Sequence, residues 1–125
     1  MDDDRIWAFE ESLWTASREH YADSIDDQCL MVLPAIPFVF TGGQSVEAVS
    51  NTPRWEQVSF TDRQVARPQE GLIVIAYKAE ASRGDERYTA YCTSTYRHLP
   101  GASGERTEER WQVVQHQQTL PPTGG

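Results

Sequence analysis

A chain of 125 residues with 38% hydrophobic and 24% charged side chains has room for one core and is not a disordered tail. Nineteen acids against eleven bases leave a formal charge of −8, and the bases (ten Arg and Lys78) form no stripe, which argues against binding a nucleic-acid backbone. No apolar run approaches the roughly 20 residues that cross a bilayer, Met1-Asp2-Asp3-Asp4 is the opposite of a basic signal-peptide start, and two cysteines mark no disulfide scaffold, so a cytoplasmic protein with free thiols is expected.

Asp4 can cap a first helix from about Arg5 to Ala16, on which Ile6, Trp7, Phe9, Leu13 and Trp14 share one apolar arc. Glu10 sits near the centre of that arc, where a purely structural helix avoids charge. A second short helix, Arg18 to Ser24, presents Tyr21 and Ile25. Cys29 to Leu33 reads as a short apolar strand stopped by Pro34 and Pro37, and Phe38-Val39-Phe40 as another, ended by Gly42-Gly43. Ser45 to Ser50 forms a third small helix that stops at Asn51-Thr52-Pro53.

From Val58 the pattern turns to β. Strands are expected at Val58 to Arg67, at Leu72 to Ala81, at Tyr88 to Arg97 across the turn Arg83-Gly84-Asp85, and at Arg110 to Thr119 across the turn Pro100 to Gly104. Helices first and antiparallel strands after them predict an α+β domain with the helices on one sheet face, its core spanning about 5–120 and a loose tail at 121–125. Alternation puts Ile73, Ile75, Tyr77, Ala79 and Ala81 on one face of their strand, and Ala90, Cys92, Ser94 and Tyr96 on the facing row of the next. On the closing strand Gln112, Val114, His116 and Gln118 share a parity, against Gln115 and Gln117. So many hydrogen-bonding side chains on a closing strand suggest the lining of a polar-floored cavity, since unpaired buried polar groups cost roughly 1–3 kcal/mol each.

Phe9-Glu10-Glu11, Cys29-Leu30-Met31-Val32-x-Pro34, Pro53-Arg54-Trp55, Tyr88-x-Ala90-x-Cys92-x-Ser94-x-Tyr96 and Trp111-x-x-x-x-His116-Gln117-Gln118-Thr119, in this order, resemble the nuclear transport factor 2-like superfamily. Within it the chain is similar to the SnoaL-like proteins of unknown function related to the kinase association domain. The resemblance covers roughly residues 5 to 120. It implies a cystatin-like, cone-shaped barrel in which a curved antiparallel sheet holds the N-terminal helices on its concave face. A pocket between sheet and helices, a bacterial source and homodimerisation through the outer sheet face are implied too. It implies no single activity, because members include isomerases, dehydratases, cyclases, hydrolases and inert adaptors.

Ketosteroid isomerase-like chemistry needs a carboxylate base, an Asp donor and a helix phenol. The corresponding places are occupied approximately by Leu33, by Ser94 and by Trp7, Ala8 or Phe9. An epoxide-hydrolase-like Asp–Arg–Asp set finds Asp62 and Glu80 as the only sheet acids, and the association domain's pocket arginines correspond to Ala79 and Ser94.

What remains is Glu10 facing His116, either an acid–base pair or a structural bridge from helix to sheet. Around them Trp14, Tyr21, Trp55, Tyr77, Cys92, Ser94 and Gln118 are the expected pocket residues, with Trp55 either lidding the pocket or filling core. Cys92 reads as a small buried residue before it reads as a nucleophile, and Arg54 as a helix cap or a partner of Glu56. Three scattered histidines and two lone cysteines give no metal spacing, and no cofactor is expected. Two functions stand: a dimeric module that binds a small hydrophobic or polar–apolar ligand, or a small isomerase, cyclase or dehydratase using Glu10 and His116.

Overall fold

The computed structural model describes residues 1–99 and 110–122; the turn expected at Pro100 to Gly104 and the last three residues of the expected tail lie outside them. In chain order the elements are α1 (Asp3–Thr15), α2 (Arg18–Ser24), β1 (Ile25–Val32), β2 (Val39–Thr41), α3 (Gly42–Ser50), β3 (Gln57–Gln69), β4 (Leu72–Arg83), β5 (Glu86–Leu99) and β6 (Arg110–Thr119). One six-stranded sheet runs β2-β1-β6-β5-β4-β3. The expected α+β architecture is present, and its open sheet is mixed rather than wholly antiparallel, because β1 enters alongside β6 in parallel. The four later strands need only hairpin connections, whereas β1 reaches β6 from the far end of the chain.

Helix α1 is capped two residues earlier than expected: Asp2, not Asp4, accepts the Arg5 N–H at 2.9 Å, while Asp3 and Asp4 sit in the first turn, where the helix dipole favours acids. Its buried stripe is Ile6, Glu10, Leu13 and Trp14, at helical spacing. The helix lies on the sheet through aromatic contacts, Trp7 on Tyr77 at 5.7 Å and Phe9 edge-on to Tyr96 at 5.3 Å.

Gly42 and Gly43 begin α3 instead of merely ending a strand. Thr41 and Gln44 form a reciprocal capping box, and a Cβ on Gly42 would stand 3.0 Å from the Asp26 carbonyl and from Ile25 Cγ2. Strand β1 starts at Ile25, four residues before the expected strand, so Asp26 and Asp27 join the acids on the sheet, as Glu86 does on β5. Asp26 is buried there by the Arg97 guanidinium at 2.7 Å and the Gln28 N–H at 2.8 Å.

Parity holds along β4 and β5: Ile73, Ile75, Tyr77, Ala79 and Ala81 are buried, as are Ala90, Cys92, Ser94 and Tyr96. It breaks on β6. Tyr96 pairs with Val113 but Thr95 pairs with Gln115, so Val114 is the extra residue of a β-bulge. Val113 is the core residue before the bulge, and Gln112 turns away to bond the Asp23 carbonyl at 3.0 Å. After the bulge the even residues His116 and Gln118 face inward, opposite Ser94 and Cys92.

Candidate functional site

The core of the site is a carboxylate held wholly out of water. Glu10 is 0% exposed, and three hydroxyls donate to it: Tyr96 to Oε1, Tyr77 to Oε2, and Ser94 to Oε2 at 2.6 Å. Charge-assisted bonds of this kind offset the several kcal/mol that an unpartnered buried carboxylate costs. Burial first, and then the Glu10 charge, push the Tyr77 and Tyr96 phenols well above their usual pKa, so both stay protonated donors. Trp14 Nε1 donates in turn to the Tyr77 hydroxyl at 3.3 Å.

His116 Nδ1 lies 3.7 Å from Glu10 Oε2 and 2.6 Å from Ser94 Oγ. A serine hydroxyl has one hydrogen, which here goes to Glu10, so bond counting assigns the Nδ1–H tautomer to His116, donating to Ser94. Its Nε2 lone pair then faces the Gln118 amide nitrogen at 3.1 Å, and Gln118 Oε1 accepts from the Tyr88 hydroxyl at 2.6 Å. Every hydrogen in the chain Tyr88–Gln118–His116–Ser94–Glu10 points the same way, toward the carboxylate. Burial lowers the His116 pKa below its ordinary value, opposed by the Glu10 charge and a backbone contact at Thr93; the ring is neutral near pH 7.

The cavity above this network measures about 200 Å³. Its walls are mainly apolar, with Leu13 and Trp14 from α1, Tyr21 from α2, Ile25 and Met31 from β1, Leu33, and Val49 from α3. Arg54, Trp55 and Arg83 form its rim, and His116 and Gln118 its polar floor. Glu10 touches the cavity wall, but its oxygens are covered by their hydroxyl donors, so His116 and Gln118 are the end of the network open to a ligand.

The expected residues therefore separate. Glu10, Trp14, Tyr21, Trp55, His116 and Gln118 come together around the cavity, while Tyr77, Cys92 and Ser94 stand behind its wall. Trp55 sits at the rim, stacked on Tyr88 at 5.6 Å under the Arg83 guanidinium at 4.1 Å. Burial, and for Cys92 the Glu10 charge after it, push the Cys29 and Cys92 thiols up to about 12, which leaves Cys92 without a nucleophile's thiolate.

Sequence reasoning missed Tyr96 and Tyr88 as network members and Arg54 as a rim residue. The Tyr88–Tyr96 row carried a signal for the first two. Arg54 caps the C-terminus of α1, donating from Nε to the Ala16 carbonyl at 2.8 Å and from Nη2 to that of Leu13. Among the described residues no group of three His, Cys, Asp or Glu is placed to hold a metal ion, and no helix is long and apolar enough to cross a membrane.

No family model matches the chain, and no curated protein matches it. Solved structures do, and they place the chain in the class of nuclear transport factor 2-like folds. A nuclear transport factor 2-like protein from Cytophaga hutchinsonii superposes with a TM-score of 0.72 at 16% identity, covering 97% of this chain and 100% of that one. A candidate ketosteroid isomerase from Parabacteroides distasonis gives 0.73 at 14% identity, over 94% and 86%. A candidate calcium/calmodulin-dependent kinase II association domain from Exiguobacterium sibiricum gives 0.68 at 14%, over 97% and 92%. At these identities the likeness is one of fold.

Proposed function

We propose that this chain is a cytoplasmic, SnoaL-like small-molecule-binding domain whose ligand enters the cavity between α1, α3 and the sheet and rests on His116 and Gln118. One observation carries the reading: an apolar-walled cavity ends on a polar floor whose hydrogen bonds run inward to the buried carboxylate. An apolar cavity of roughly 150 Å³ takes up benzene, so about 200 Å³ suits one ring with a small substituent, below the usual size of drug-like pockets. A thermal-shift screen of small monocyclic compounds tests it, since a binder raises Tm by mass action. Hits should lose their shift in His116→Ala; hits that keep it place the ligand elsewhere.

The same reading includes a homodimer through the outer sheet face. That face carries the registered rows Leu30–Gln115–Thr95–Val74 and Val32–Gln117–Thr93–Ala76, with Leu30 58% and Val32 45% exposed. Such an exposed apolar and amide surface suits self-pairing. Light scattering at micromolar concentration tests it, and a monomer contradicts it.

A second reading, an isomerase, cyclase or dehydratase, is favoured by the 3.7 Å between Glu10 and His116. A proton taken by Nε2, once the Gln118 amide swings off that lone pair, would make an imidazolium whose charge Glu10 offsets through Ser94. Solvent deuterium entering a bound carbon acid, and lost in His116→Ala, supports it; exchange at the uncatalysed rate contradicts it.

A further inference from the structure

The charges around the cavity are the reverse of the chain's balance. With nineteen acids and eleven bases overall, the fully charged lining residues are Arg54, Arg83 and the sealed Glu10. Arg83 is already paired, gripping both Glu86 oxygens and the Pro53 carbonyl. Arg54 is not: among the described residues no carboxylate lies within ion-pair distance of it. Two of its five N–H groups bond the helix carbonyls of Ala16 and Leu13, which fix the guanidinium and leave three N–H groups without a protein acceptor among the described residues. The guanidinium lies 5.3 Å from the Tyr21 ring centroid, and the Tyr21 hydroxyl, itself hydrogen-bonded to the Ser45 side chain, donates to the Met31 sulfur at 3.6 Å. Gln118, on the floor, keeps a second amide N–H. The cavity thus holds more donors than acceptors around a half-buried cation.

We propose that the ligand is a small organic anion, a monocyclic or short-chain carboxylate whose apolar body fills the cavity and whose carboxylate pairs with Arg54; this rests on the cavity being a ligand site, as inferred above. A guanidinium pre-set by helix carbonyls loses little freedom on binding, and a planar fork matches a carboxylate. Burial acts first against the charge on Arg54, Tyr21 partly offsets it and the Arg83 guanidinium adds to it least, and an incoming anion relieves that cost.

Calorimetry on the full chain with benzoate, phenylacetate and butyrate against benzamide, phenylacetamide and butyramide tests the proposal. At least one acid should bind about tenfold tighter than its amide, the value of one charge-assisted pair. Raising salt to about 0.5 M should weaken the acid and leave the amide unchanged. Arg54→Gln should erase the preference; because Arg54 also caps α1, its Tm is measured alongside, and the acid–amide ratio in the wild type stands without it. Amides binding as well as acids would overturn the anion and leave the cavity reading standing. Silence across all six compounds would overturn both.

Discussion

Glu10 and His116 stand 3.7 Å apart with the Ser94 hydroxyl between them, donating to the carboxylate at 2.6 Å and receiving from the ring at 2.6 Å. A helix and two strands are thereby joined by one buried chain of hydrogen bonds. Fully satisfied, such a chain rigidifies the core; broken at one link, it leaves polar atoms stranded. The cavity floor is only as well placed as this chain.

Glu10→Gln should therefore destabilise the fold. The amide keeps one acceptor oxygen and sets an NH₂ against hydroxyls arranged as donors, at a cost of about 2 kcal/mol. Urea unfolding of the variant checks this. Wild-type stability would mean that the three hydroxyl bonds to Glu10 do not form.

Stability should fall as pH drops, first through His116 and then through Asp26. His116 has a folded pKa below its ordinary 6.5, so the unfolded chain takes the proton first. Its contribution is whole above 6.5 and is lost as pH falls through the folded value. For Asp26, burial alone would raise the pKa, but the Gln28 N–H and the Arg97 guanidinium outweigh it and hold the carboxyl below 3.8. Its contribution is present above 3.8 and goes as pH falls through the lower folded value. Tm measured against pH should lose the upper step in His116→Gln and keep the lower one. An unchanged upper step would remove His116 from this role.

Both cysteines should resist alkylation in the folded protein. Thiols pushed up to about 12 and exposed by 1% (Cys29) and 4% (Cys92) present almost no thiolate near pH 8. Iodoacetamide labelling followed by mass spectrometry should find neither modified until denaturant is added. Rapid labelling of Cys92 in the native state would reopen it as a nucleophile.

Much of the frame was legible because β4 and β5 alternate without interruption, so every second residue from Ile73 to Ala81 is buried. Glu10 was legible for a related reason: a carboxylate amid Ile6, Leu13 and Trp14 has to find partners. The bulge at Val114 carries no signature of its own and shifts parity by one, which is why Val113 rather than Gln112 or Val114 enters the core. Strand β1 was read too short because Asp26-Asp27-Gln28 has little β propensity, and a tertiary partner, Arg97, holds Asp26 in place. Gly42 looked like a strand ending, although its missing Cβ serves a close approach to Asp26 and Ile25. Arg54 was obscure since its partners, Leu13 and Ala16, lie about forty residues away in the chain.

The central claim is that a ligand occupies the cavity over His116. Ala48 lines the cavity from the exposed side of α3, so Ala48→Trp should fill the opening without disturbing the Glu10 network. Thermal shift of wild type and Ala48→Trp with the same small-molecule binder is the direct measurement. The shift should vanish in Ala48→Trp while the unliganded Tm stays close to wild type, and an equal shift in both proteins would contradict the account.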